Sequence, residues 1–355
     1  MNVLELCVWL NGYEGLSADL FRDIDAGLSE KDLLDALLAK KKITPHCAER
    51  LRTLYDQHWA EGEIDRADQA GVRLIPWFSE DYPARLRDID EPPLVLYVKG
   101  QLPDLERSCS VVGTRRCTPY GFKVAELLGS ALAQADYTVV SGGARGIDGA
   151  AHGGSLSGSG STIAVLGTGV DVIWPPEHDE LFVNIAREGA LVSEFPLGTS
   201  GRAWRFPRRN RIIAGVSKML VVVESPMKGG AMITARKAME MGRDVWAVPG
   251  RIDERVCEGS NRLILDGASP LVNISDFVDH ISGTLGQLEL FSPVPLSDDE
   301  QKVLDCLASQ GDLTLDQISA RTGLSPVQLM QITAELQVQT LIYPTGGGRW
   351  RAAPR

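Results

Sequence analysis

The sequence predicts an α/β fold built on a doubly wound, Rossmann-like parallel sheet over residues 72–282, and three observations predict it. Short, nearly continuous apolar runs alternate with helical periods, the pattern of a parallel sheet covered on both faces. Three of those runs, in VVGTRR, VVSGGARG and VLGTG, break into glycine where a strand would hand over to a helix. The flanks differ in character: amphipathic helical periods fill residues 1–71, and a Gly-, Ser- and Pro-rich linker over 283–297 precedes three helical periods and a glycine-rich hairpin over 298–355.

Taken in order, residues 1–71 read as short helices over 16–26, 30–40 and 45–61, the last with Thr44 and Pro45 at the N-cap and first helical positions. Residues 1–70 hold eight basic and fourteen acidic side chains, which disfavours direct contact with nucleic acid and suggests an accessory role. In the sheet domain the strand candidates are VRLIP, LVLYV, CSVVG, YTVVS, TIAVLG, MLVVVE and DVWAVP. Helices are expected near 119–135, 146–157, 178–188, 230–241 and 259–267. The C-terminal segments DDEQKVLDCLASQ, TLDQISARTGL and SPVQLMQITAELQVQTLI, followed by YPTGGGRWRA, form a winged helix-turn-helix pattern. Its would-be recognition helix, near 325–339, carries Glu335 and no Lys or Arg, so it is expected to face protein rather than a DNA groove.

With 355 residues, 44% apolar and 23% charged, the chain has room for two or three globular domains. No apolar stretch nears the roughly 18 residues of a membrane helix, and no basic segment precedes the first apolar residues, so a cytoplasmic location is expected. The six cysteines form no CxxC pair and have no histidine at ligand spacing, which points away from disulfides and metal. No cofactor is expected either: GGARG lacks the GxGxxG spacing of a dinucleotide site, and no GxxxxGK[ST] P-loop occurs.

The net charge of -11 hides a local excess of the opposite sign. Residues 201–251 hold eleven Lys and Arg against three acids, and five arginines, Arg202, Arg205, Arg208, Arg209 and Arg211, fall in GRAWRFPRRNR. Guanidinium groups fork onto phosphate oxygens and aromatic faces stack on any base, so arginines interleaved with Trp204 and Phe206 suit single-stranded nucleic acid. A solvated or internally paired basic strip is the competing reading.

The glycine turns add backbone donors. Gly113, Thr114 and Arg115 lead to Thr118 and Pro119 at a helix start, where a phosphate would meet free amides and the positive end of a helix dipole. Ser141, Gly142, Gly143, Arg145 and Gly146 repeat the device, and Gly167 and Thr168 form the third turn. Catalytic constellations are weak: Asp148 and His152 share a helical face, His178 precedes an acidic helix start, and Glu194 ends a strand without a partner carboxylate.

The succession YPARLRDIDEPPLVLYVKG, VVGTRRCTPYG, VVSGGARGIDGAAH, TIAVLGTGVDVIWP, LVSEFPLGT, FPRRNRIIAG, MITARKAMEMGRDVWAVPG and GSNRLILDGA resembles the DNA-processing protein A (DprA/Smf) family of bacteria over about residues 72–280. The flanks resemble its N-terminal helical SAM-like domain and C-terminal winged-helix domain. The resemblance implies a non-enzymatic protein that binds single-stranded DNA, protects incoming strands in natural transformation and helps to load a RecA-type recombinase. It further implies a homodimer through the Rossmann-like domain. Arg115, Phe206, Arg208, Asn210 and Arg211 match positions of that family's DNA pocket. Where the family often has serines, this chain reads GGAMITA with Gly229, Gly230 and Ala231, leaving backbone amides and Thr234 for phosphate contact.

Two other functions compete. A Rossmann-like nucleotide phosphoribohydrolase would need a PGGxGT turn followed by glutamates, and here Gly146 is followed by Ile147 and Asp148. A transcription regulator would need a better recognition helix than residues 325–339 supply.

Overall fold

The computed structural model describes residues 1–22, 27–283, 296–338, 341–346 and 348–352. The chain forms two compact units, residues 1–284 and 285–355. The linker expected over 283–297 lies for the most part outside the described residues.

Four helices open the first unit: α1 (Val3–Asn11), α2 (Glu30–Ala39), α3 (Pro45–Asp56) and α4 (Trp59–Gln69). The first was not expected; Asn2 and Glu5 start it with a reciprocal capping box. The single helix expected over 45–61 is two, because His58 adopts the left-handed conformation at φ 50° and breaks the run. Trp9, Leu33, Leu37 and Leu51 of these helices share one buried cluster with Val95, Tyr97 and Leu191 of the sheet. The helical region therefore completes the core of the sheet instead of standing apart from it.

Nine strands form that sheet: β1 (Val72–Pro76), β2 (Val95–Gly100), β3 (Ser108–Val112), β4 (Thr138–Ser141), β5 (Thr162–Val165), β6 (Ala190–Ser193), β7 (Met219–Val222), β8 (Asp244–Ala247) and β9 (Ser269–Pro270), in the order β1-β2-β6-β5-β4-β3-β7-β8-β9. Strands β3 to β9 run parallel, while β2 pairs antiparallel with both β1 and β6. The sheet is thus mixed where an all-parallel one was expected. Residues 95–98 are buried throughout, and a strand buried on both faces reads as a continuous apolar run whichever way it points.

The helices between strands are α5 (Ala84–Arg87), α6 (Pro119–Gln134), α7 (Ile147–Ser157), α8 (Asp179–Glu188), α9 (Arg205–Val216), α10 (Gly230–Glu240), α11 (Glu258–Leu265) and α12 (Ile274–Ser282). They cover both faces, with Val140, Ile163, Ile212 and Ala235 in one layer and Val111, Val139, Leu128 and Phe277 in the other. Strand order reverses at β3, which lies between β4 and β7. At such a switch point the loops leaving the strand ends diverge and open a crevice, the usual ligand position in open α/β sheets.

The second unit contains α13 (Asp298–Gln310), β10 (Leu313–Thr314), α14 (Leu315–Thr322), α15 (Pro326–Val338), β11 (Ile342–Gly346) and β12 (Arg349–Ala352). Its strands form a three-stranded antiparallel sheet, and Val303, Leu307, Ile318, Leu329 and Leu336 are its core, the winged-helix arrangement that the sequence predicted. Among the described residues no helix is long and apolar enough to cross a membrane.

Candidate nucleic-acid interface

At the β3 switch point lies a cleft of about 680 Å³. Its walls come from the β3–α6 turn (Gly113 to Arg116), from the first turns of α9 (Phe206, Pro207, Arg209, Asn210) and from the start of α10 (Gly229, Gly230, Ala231, Thr234). A side chamber of about 170 Å³ shares Arg115, Trp174, Phe206 and Arg209 with it and adds Gly142 and Arg145.

The charges of the cleft are unbalanced. Arg115, Arg116 and Arg209 line it against one carboxylate, that of Asp148. Arg115 and Arg116 are exposed and make no ion pair among the described residues. The Arg115 guanidinium lies 5.3 Å from the centroid of the Phe206 ring, a cation–π contact that keeps it over the cleft without neutralising it.

Arg209 forms the floor. It is 4% exposed, and its Nη1 donates to the Gly142 carbonyl oxygen at 2.8 Å and to that of Val165. Burial pushes its pKa down to about 10, against the opposing pull of Asp148, so it remains charged at neutral pH. Burial likewise raises the Asp148 carboxyl, and Arg209 lowers it. A guanidinium held by carbonyls in a buried floor retains positive potential for an anion that enters above it.

The helix N-terminus available to that anion differs from the one expected. At α6, Glu224 is already in place: Thr118 donates to its carboxylate through the backbone N–H at 2.9 Å and through Oγ1 at 2.5 Å. A Cβ on Gly121 would stand 2.3 Å from that carboxylate, so the helix is built around it. An acid at a helix N-terminus satisfies the dipole that a phosphate would otherwise use. Helix α10, by contrast, starts behind Gly229 without a side-chain cap, and a Cβ built on Gly230 would have nothing within 4 Å. The N-terminus of α10 is therefore open to the cleft.

Of the residues expected in the site, the cleft brings together Gly113, Thr114, Arg115, Phe206, Asn210, Gly230 and Thr234, and the side chamber adds Gly142 and Arg145. Arg145 is paired with Glu177.

The others face the protein. The glycines of the second and third turns make room for side chains, since a Cβ on Gly143 would stand 2.7 Å from the Phe182 ring and one on Gly167 2.7 Å from Phe206; at Gly146, with φ at 73°, a Cβ would meet the Thr114 carbonyl at 2.5 Å. Ser141 donates to the Val111 carbonyl at 2.6 Å and Thr168 to that of Val172 at 2.8 Å.

Three of the arginines lie outside the lining of the cleft. Arg211 is 2% exposed and gives both terminal nitrogens to Glu194. Arg205 is 9% exposed and paired with Glu14, and Arg208, 16% exposed, lies 3.5 Å from Glu194 and 4.0 Å from Glu91. All three point away from the cleft because acids elsewhere in the chain neutralise them. Trp204 is 45% exposed and stacks with Arg205, 5.3 Å from its guanidinium. Arg116, Trp174 and Arg209 are among the lining residues that sequence reasoning left out of the site; Arg209 was visible in the basic run, but nothing local marked it as the member that turns inward.

The weak catalytic pair is split: Asp148 lines the cleft, whereas His152 is packed away from it. His152 is fully buried with Nδ1 2.7 Å from Thr162 Oγ1, and burial takes its pKa down to about 3, so it stays neutral.

Against this geometry, residues 73–282 match the family model described as DNA recombination-mediator protein A. The chain belongs to this family. Residues 289–348 also match the DprA winged helix domain. The putative DNA processing protein DprA of Mycobacterium tuberculosis is 38% identical over 319 residues, 82% of each chain. The crystal structure of DNA processing protein A from Streptococcus pneumoniae superposes with a TM-score of 0.69 at 31% identity, covering 78% of this chain and 98% of that one. The protein of the same name from Helicobacter pylori, whose structure is described for its single-stranded DNA binding mode, matches with a TM-score of 0.55 at 27% identity over 60% of this chain and 96% of that one.

Proposed function

We propose that the cleft grips single-stranded DNA by its sugar-phosphate chain, without breaking bonds in it. The observation that carries this reading is the convergence of two unpaired guanidinium groups, Arg115 and Arg116, with the uncapped start of α10 above the buried Arg209. Phosphates meet charge and amides, while Phe206 offers a ring on which a base can stack. The relationship to the Helicobacter pylori protein supports the choice of an unpaired strand.

In the cell this binding would protect incoming DNA and prepare it for a RecA-type recombinase, the role that the family resemblance implies. A homodimer through the Rossmann-like domain fits the bare apolar side chains Ile252, Leu265 and Val272, which are 95%, 81% and 78% exposed in the segments that flank edge strand β9.

The test compares binding of single-stranded and duplex oligonucleotides of equal length by the full chain, with molecular mass measured alongside. Preference for the single strand by a dimer is the expected result. Equal affinity for both forms, or a preference for duplex, would overturn the reading.

A further inference from the structure

One wall of the cleft is irregular chain. Residues 194–204, between β6 and α9, contain no regular element, yet Gly201 and Ala203 of this segment line the cleft and it delivers Phe206 into it. A segment without a hydrogen-bonded ladder of its own keeps one conformation only if something else holds it.

Part of that support is local to the sheet domain, where the Gly198 N–H donates to Asp171 at 2.9 Å and the Thr199 carbonyl accepts from the Gly169 N–H at 2.9 Å; the rest comes from the N-terminal region. The backbone N–H of Leu197 donates to Glu63 Oε1 at 2.8 Å, and Glu63, on α4, is fully buried. Asn11, the last residue of α1, donates through Nδ2 to the Glu194 carbonyl oxygen at 2.9 Å. Just beyond it, Glu14 takes Arg205 Nη2 at 3.0 Å, and the Leu16 carbonyl accepts from Arg208 Nη2 at 3.3 Å. Arg205 passes the restraint on: it donates to the Ser200 carbonyl and its guanidinium lies 5.5 Å from the Phe195 ring centroid and 5.3 Å from that of Trp204. The two ends of the segment are thereby tied to the helices, one by a buried acid and the other by a charged pair.

We propose that Glu14 is a positioning residue for the DNA cleft, acting through Arg205 to hold the 194–204 wall and the entry of α9. The acidic N-terminal region thus serves DNA binding without touching DNA, and Arg205 serves it as the receiver of that restraint and not as a phosphate ligand. This inference rests on the cleft being the DNA site.

The test uses the full chain and a fluorescent oligothymidylate, with dissociation constants measured over a salt series for the wild type, Glu14→Gln, Glu14→Ala and Glu5→Gln. Glu14 is about one-third exposed, so its loss leaves the fold intact, as thermal melting would verify. Loss of a charge-assisted bond in the wall is expected to weaken binding by about tenfold in both Glu14 variants. The salt dependence should stay that of the wild type, because no phosphate contact is removed. Hydrogen exchange over 197–204 should accelerate in the same variants. Glu5→Gln, which alters only the α1 cap, should bind as the wild type does.

Unchanged affinity in both Glu14 variants would overturn the proposal. So would tighter binding with a steeper salt dependence, which would mean that Arg205, once released, reaches phosphate. A wild-type chain that fails to bind single strands at all would instead sink the function on which the proposal rests, so the two failures are told apart.

Discussion

Arg211 delivers Nη1 and Nη2 to the two carboxylate oxygens of Glu194, each at 2.6 Å, in an interior where the side chains are 2% and 5% exposed. The pair anchors α9 to the end of β6 and so fixes the helix whose opposite side supplies Phe206, Arg209 and Asn210 to the cleft.

Breaking that pair leaves a charge buried without its partner. Arg211→Ala or Glu194→Gln is expected to cost about 3–5 kcal/mol of stability, read from denaturant midpoints at unchanged slope. A loss below about 1 kcal/mol would show that the pair is dispensable.

The same pair makes stability depend on pH. Burial on its own would raise the Glu194 carboxyl, but Arg211 and Arg208 outweigh it and hold the group below its ordinary value of 4.5. A carboxyl whose folded value is depressed contributes its full stabilisation above the unfolded value and loses it as pH falls through the folded one. The stability difference between wild type and Glu194→Gln should therefore be constant at neutral pH and shrink as pH falls below 4.5. A difference that does not change across that range would contradict the assignment.

Among the described residues, Arg115 and Arg116 line the cleft without an ion pair. Replacing either with alanine should weaken binding of every oligonucleotide sequence alike and reduce the salt slope by about 0.7 for each contact removed from a single strand. Arg208→Ala should leave that slope unchanged, since its guanidinium faces Glu194 and Glu91. The reverse ranking in a salt titration would return the site to the FPRRNR run.

How much of this was legible in the sequence is best judged on that run. Seven of the nine strands were readable as apolar runs, but β9 has two residues, too few for a pattern. The glycine turns at the crevice were readable too, because strand-to-helix turns at a switch point need small residues. Helix α9 was not: it starts with arginine and proline, and three of its arginines are buried against groups that no local window contains. Glu14 lies 191 residues from Arg205, and the Gly142 carbonyl 67 residues from Arg209. Glu224 likewise reaches the start of α6 from 106 residues away, so a helix N-terminus that looked open to phosphate was already filled.

Gly230 separates stability from binding. An aspartate there would place a carboxylate at the positive end of α10 with room to spare, so Gly230→Asp should leave stability unchanged or raise it by about 0.3–1 kcal/mol. The same charge would repel phosphate, and affinity for single strands should fall by roughly tenfold at low salt. Unaltered binding in this variant would remove α10 from the site.

The central claim is that the strand lies in the cleft at the β3 switch point. It is tested most directly by photo-crosslinking a halogenated-base oligonucleotide to the full chain and mapping the linked residues by mass spectrometry. Links at Phe206 and Trp174, abolished by excess unlabelled single strand, are the predicted result. Links confined to the winged-helix residues 326–338, with none at the cleft, would contradict it.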